Sequence, residues 1–343
     1  MGKKENTRLE NGRYINLKAI SSKKEVENMV LEHIFPEDWL ERKGRYAFIL
    51  GVVYSIVGLL LASVLFPTDP ALVALAFTSM LLLPEMYKIF SIEERKESVE
   101  NKVTLGELWK DDVELVRIYI FMFLGVLLVF SVGALFLDGL QANSIFREQL
   151  ELRVCNENSG ANCDLSKLTA SGNQLTGKVV DGGGMSFSTD LFFSLLSNNF
   201  MVLMACFILA LLSGDGAIFL IVWNASVWGT IFGITARSAA AFSGQNPLYL
   251  FGLIMLIVFP HMIIEAISYF LAAISGSVIS KDVILEEFAS DRFFEVFSFN
   301  LYLLFFALVF VVLGAGVETW VLNNVGIYHS IIQDSIKGLA HVF

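Results

Sequence analysis

Residues 197–276 read SNNFMVLMACFILALLSGDGAIFLIVWNASVWGTIFGITARSAAAFSGQNPLYLFGLIMLIVFPHMIIEAISYFLAAISG, and this stretch decides the fold. Three apolar runs carry polar residues inside them: Asn198-Asn199, then Trp223-Asn224-Ala225-Ser226, then Pro260-His261 with Glu265. A turn, Gly214-Asp215-Gly216, separates the first two. An apolar run of about 18 residues or more crosses a hydrocarbon layer of ~30 Å at ~1.5 Å per residue. Asn, His or Glu at that depth costs a few kcal/mol unless paired or wetted. Three such interruptions mark a built interior or a site.

The rest of the chain agrees. Its 343 residues are 55% hydrophobic and 17% charged, where a soluble domain carries about a quarter charged residues. The sequence predicts an all-α, polytopic helical membrane protein. It has about seven transmembrane helices, near residues 46–66, 71–90, 118–137, 190–213, 217–235, 248–275 and 299–322, with amphipathic interfacial helices at both ends. Residues 1–45 form an amphipathic N-terminal segment, with Val26, Met29, Val30 and Ile34 at helical spacing. No cleavable signal peptide is expected there, because the segment lacks an apolar core. Residues 46–137 hold the first three spans, with a charged, solvated helix at 91–117. Pro84 and Glu85 in span two read as a kinked helix end with a snorkelling Glu, or as an ion site. Residues 138–189 form a hydrophilic loop, residues 190–322 hold spans four to seven, and residues 323–343 form an amphipathic tail lying along the membrane surface. A second amphipathic helix is expected between spans six and seven.

Orientation follows the basic residues. With the N-terminus inside, 18 of the 24 Lys and Arg fall on the cytoplasmic side. The chain is thus read as a multi-pass protein of the plasma membrane with its N-terminus cytoplasmic and its C-terminus outside. Cys155 and Cys163 then lie outside, where a disulfide between them persists, two free thiols being the other possibility. The lipid bilayer is one partner. No basic patch with interleaved aromatics points to nucleic acid.

At ~1.5 Å per residue, Asn224 falls level with Glu265, and Asn199 level with His261. Asn198, Asn199, Asn224, His261 and Glu265 are therefore expected to form one intramembrane polar cluster linking spans four, five and six. Three roles compete for it: a structural clamp, a proton or ion path, and catalysis. Catalysis is the thinnest, since His261 and Glu265 supply only two ligands where a catalytic zinc takes three, and no nucleophile or phosphate-binding motif is present. No enzyme activity, cofactor or metal is expected. Ala225, Gly229 and Gly233 make a small-residue seam on span five, packing inside the protomer or across a dimer.

At these same residues the sequence resembles the stage II sporulation protein M family, in its archaeal branch. The resemblance rests on Asn198-Asn199, Gly214, Trp223-Asn224-Ala225-Ser226 with Gly229 and Gly233, and Pro260-His261 with Glu265; Pro36-Glu37-Asp38-Trp39 and Glu93-Glu94 add to it. It is closest over 190–276 and looser over about 25–140. Ala225 and Met262 stand where the family often has glycine. The resemblance implies a non-enzymatic membrane scaffold or membrane-organising protein that positions partner proteins, and a homo-oligomer is expected. The alternative is a transporter or channel subunit, permease-like, with a polar pathway through spans four to six.

Overall fold

In hydrocarbon no water satisfies backbone N–H and C=O groups, so an apolar run that crosses it must pair them within its own helix or in a closed barrel. The computed structural model describes residues 7–10, 13–16, 44–68, 70–99, 105–137, 139–149, 186–285 and 291–342. Among them, seven helices are long and apolar enough to cross a membrane: Gly44–Leu65, Ala71–Lys88, Val113–Phe136, Thr189–Ser213, Ala217–Ser243, Pro247–Ser280 and Phe297–Asn324. These are spans one to seven. The protein is a multi-pass, helical membrane protein. Spans four and five, joined by the Gly-Asp-Gly turn, are each long enough to cross completely.

Several helices outrun their expected limits. Span two's helix passes Pro84 and continues to Val99, and span three's begins at Leu105. Likewise span six's helix runs on to Leu285 and span seven's starts at Asp291. The charged segments expected as separate helices are thus largely extensions of the spans. Span five also runs to Ser243, well past Thr235, because Ala236 to Ala241 continue a helix readily. It stops where Gly244 takes φ 72° and donates its N–H to Ala240 O, a left-handed end that favours glycine. Span four begins at an N-cap, Ser188, whose hydroxyl accepts from Leu191 N at 3.3 Å.

The helical body, Gly44–Phe343, is organised in two groups. Span three packs against spans one and five, and span one against span two. Span six packs against spans four and seven, and also touches span five. An aromatic hub lies where spans three, five and six meet: Tyr119 stacks on Phe270 at 5.4 Å, and Phe123 meets Trp228 and Phe270 edge-on.

Two expectations change here. Residues 139–149 are not loop. A short helix, Gly139–Ile145, folds back against the spans, so that the Phe146 ring packs on Phe130 at 5.7 Å and Gln149 Nε2 reaches Ser226 Oγ at 3.4 Å, both partners buried. Ser226 is nine residues from the start of span five, about 13 Å along its axis. The C-terminal helix, Gly326–Val342, is amphipathic, and protein covers part of its apolar face while Ile327 stays exposed. It packs on span five, with Ile331 and Ser335 buried, Gly338 against the Ser238 backbone, and Lys337 Nζ 5.1 Å from the centre of the Phe242 ring. Ser335 and Gly338 give that helix a small face that a partner helix can approach.

Within Met1–Lys43, Thr7–Glu10 and Arg13–Asn16 pair as antiparallel strands, with Glu10 opposite Arg13. This hairpin is the exception to the all-α reading. Its signal was present: Asn11-Gly12 between the strands is the dipeptide favoured in two-residue hairpin loops. Residues 17–43, including the expected amphipathic stripe, lie outside the described residues, as do Cys155 and Cys163. The third cysteine, Cys206, is a buried free thiol in span four.

Candidate functional site

Span six carries the row His261, Glu265, Tyr269, spaced by four and so stacked on one face. All three are buried, with Glu265 2% exposed and His261 6%. Opposite them on span four, Asn199 is 6% exposed. Tyr269 donates its hydroxyl to Asn199 Oδ1 at 3.1 Å. Its ring also lies 6.5 Å from that of Trp228, so Tyr269 joins the polar residues to the aromatic hub.

The third wall is span seven. Gly314 leaves room for Glu265: a Cβ there would lie 2.5 Å from Glu265 Cγ. One turn further along the same face stands the half-buried Glu318, whose charge Glu265 feels. Asn199 also faces Glu265, but short of a full bond. Among the described residues Asn199 Nδ2, Glu265 Oε1 and His261 Nδ1 have no close hydrogen-bond partner. The site ends are tied as well. Asn324, at the end of span seven, accepts from Ser186 N at 3.0 Å and donates to Ser186 O at 2.8 Å, just before span four. Toward the other end of the bundle, Ser275 Oγ donates to Asn300 O at 2.7 Å across spans six and seven.

The expected membership of this cluster is corrected in two places. Asn224 does not join it. Its amide turns back and donates to Leu220 O at 2.8 Å on its own helix, which satisfies it without crossing to span six. Asn198 is exposed on span four and reaches only its neighbour, Asn199 Oδ1, at 3.4 Å. The cluster therefore links spans four, six and seven rather than four, five and six. Two members were overlooked. Tyr269 continues the four-residue spacing of His261 and Glu265, and Glu318 is the one acidic residue in an otherwise apolar span; both signals are in the sequence.

The seam on span five packs inside the protomer. Cβ atoms built at Gly229 and Gly233 would lie 2.5 Å from Leu127 O and 2.6 Å from Ser131 O, both backbone atoms of span three, and Ala225 is fully buried. At the top of the same pair, Arg237 donates to the Leu137 carbonyl, completing the end of span three's helix. The Gly214-Asp215-Gly216 turn is fastened too: Gly214 has φ 73° and bonds Ala210 O, while Asp215 Oδ1 accepts from Ser277 Oγ of span six at 3.5 Å. In span two, Glu85 does not snorkel. It is buried, 3.7 Å from Lys88 Nζ.

Chemically, the cluster offers two carboxyls, an imidazole, an amide and a phenol at membrane depth. Among the described residues no group of three or more His, Cys, Asp or Glu is placed to hold a metal ion. Neither the curated proteins nor the solved structures contain a match to this chain. One family does match by its sequence model, described as Stage II sporulation protein M, over residues 47–321. The match begins inside span one and ends inside span seven, three residues past Glu318, so it takes in both groups of helices and the whole cluster; Pro36–Trp39 and the C-terminal helix fall outside it. With most of its length matched, all seven spans included, the chain belongs to the stage II sporulation protein M family.

Proposed function

We infer that this protein is a non-enzymatic membrane scaffold, a rigid helical body that positions partner proteins in or beside the bilayer. The observation that supports this reading is the way the spans are locked. Gly51 and Gly125 bring the backbones of spans one and three together, Gly229 and Gly233 do so for spans three and five, and Gly276 for spans four and six. Such contacts hold helices by close van der Waals packing, and a body that rocks during alternating access would have to break them. In this reading the cluster around Glu265 is a clamp, each interhelical bond contributing about 0.6–2 kcal/mol. The N-terminus faces the cytoplasm and the C-terminus the outside, partners meet the segments beyond the spans, and the protein self-associates through its lipid-facing surfaces.

A second reading, a permease-like transporter or channel subunit, draws on the unpartnered Asn199 Nδ2, His261 Nδ1 and Glu265 Oε1. Buried polar groups without partners are common where a membrane protein passes an ion or substrate. Proton and ion flux in proteoliposomes separates the two, comparing wild type with Glu265→Gln and His261→Ala. The scaffold reading expects no flux above that of empty vesicles and a lowered thermal midpoint in the variants. Flux in the wild type that folded variants abolish would overturn it.

A further inference from the structure

We propose that Glu265 and Glu318 form a proton-binding site in the membrane, one proton held between a carboxyl of span six and a carboxyl of span seven. The geometry calls for it. Glu265 fills the space at Gly314 of span seven, Glu318 stands one turn on along the same face, and two carboxyls that meet there can hydrogen-bond only when one of them supplies a proton. Without it, two like charges would sit in contact with little water to screen them.

No lysine or arginine stands in the proton's place. Spans four, six and seven contain no Lys and no Arg between Thr189 and Ser213, Pro247 and Ser280, or Phe297 and Asn324. The nearest cationic side chain on span five, Arg237, is committed to the Leu137 carbonyl of span three. The described residues do not provide the three ligands that would suit a metal ion. The remaining titratable groups facing the pair are a phenol, a thiol and one imidazole. They are Tyr269 one turn along span six, Cys206 on span four beside Tyr269, and His261 one turn before Glu265.

The site is also built. Gly314 makes the space that Glu265 fills, so a side chain there would displace the carboxyl. Asn199 Nδ2 and Glu265 Oε1, 6% and 2% exposed by residue, are unpartnered polar atoms directed into it. The step is a simple association: a carboxylate oxygen takes up H⁺ and becomes O–H, and the second carboxylate accepts that O–H. No electrons move and no co-reactant is needed. The pair then carries one negative charge, which Asn199 faces with its amide. Release of the proton would set spans six and seven against each other, so their association depends on the proton.

Infrared spectroscopy of the full chain in phosphatidylcholine–phosphatidylglycerol vesicles tests this directly. The wild type is expected to show the carbonyl stretch of a protonated carboxyl at neutral pH, shifted in D₂O. Glu265→Gln and Glu318→Gln should each remove it, since Gln keeps the size and donor of a protonated Glu and leaves the other carboxyl ionised. Glu318→Asp, which retains the carboxyl one methylene shorter, should move the band rather than abolish it, and it serves if a Gln variant does not fold. Absence of the band in wild type would overturn the proposal. So would a band left unchanged in every folded variant.

Discussion

Spans three and five, and spans six and seven, meet along similar lengths of helix but are held in different ways. Between three and five the closest approach is to backbone: Gly229 and Gly233 sit on the carbonyls of Leu127 and Ser131, with the Phe123 and Trp228 rings meeting beside them. Between six and seven a single glycine, Gly314, opens a place for a carboxyl, with a second carboxyl one turn on. The first interface stores its stability in shape, and the second adds buried polar groups to it. Lipid is as apolar as Leu, so helices gain little by hiding apolar surface from it, and these two devices are what is left. A seam of shape is indifferent to pH and ligands. A seam of polar groups is where a membrane protein can be altered, and among the described residues its titratable cluster lies on spans four, six and seven.

The comparison breaks most visibly at the shape seam. Gly233→Ala adds a Cβ 2.6 Å from Ser131 O and 2.8 Å from Ala134 Cβ, neither of which can move without parting the helices. It is expected to cost about 1–3 kcal/mol, read as a lowered midpoint of unfolding in detergent. Gly252→Ala is the control: nothing lies within 4 Å of its Cβ, so helix propensity alone should make it neutral or stabilising by up to about 1 kcal/mol. Equal losses at both positions would remove the seam from the account.

The polar side gives the next effect. Asn199→Ala deletes the acceptor of the Tyr269 hydroxyl and is expected to cost about 0.6–2 kcal/mol. Asn224→Ala is expected to be smaller, under about 0.5 kcal/mol, because that amide only bonds a carbonyl already engaged in its own helix. Reversal of that order would restore Asn224 to the cluster.

That pair of asparagines also shows how far the sequence carries. All seven spans were legible, because length and apolarity in hydrocarbon leave only helix. So was the burial of Asn199, His261 and Glu265, since their type and depth demanded a reason. Depth along a helix was read less well: Asn199 was expected level with His261 and instead bonds Tyr269, eight residues further along span six. What depth lacks is the angle around the axis. Asn224 lay at a plausible level, but nothing in the spacing said which way it turned, and an Asn in a helix can satisfy itself on the carbonyl four residues back. Glu318 was missed for the opposite reason: its type was conspicuous, but its partner lies on a different span, and only packing reveals it. The Gly139–Gln149 fold-back was illegible because its residues are polar enough to read as loop, and burial of Gln149 against Ser226 is a tertiary event. The tail illustrates the limit of amphipathicity as evidence. A stripe such as Ile327, Ile331 and Ile332 says that a helix has a face, and leaves open whether lipid or protein covers it.

The central claim is that the polar interface joins span four to span six through Asn199 and excludes span five's Asn224. A double-mutant cycle measures it most directly. The expected coupling between Asn199→Ala and Tyr269→Phe is at least about 0.5 kcal/mol, with Asn224→Ala and Tyr269→Phe additive within about 0.3 kcal/mol. Additivity in the first pair together with coupling in the second would contradict the account.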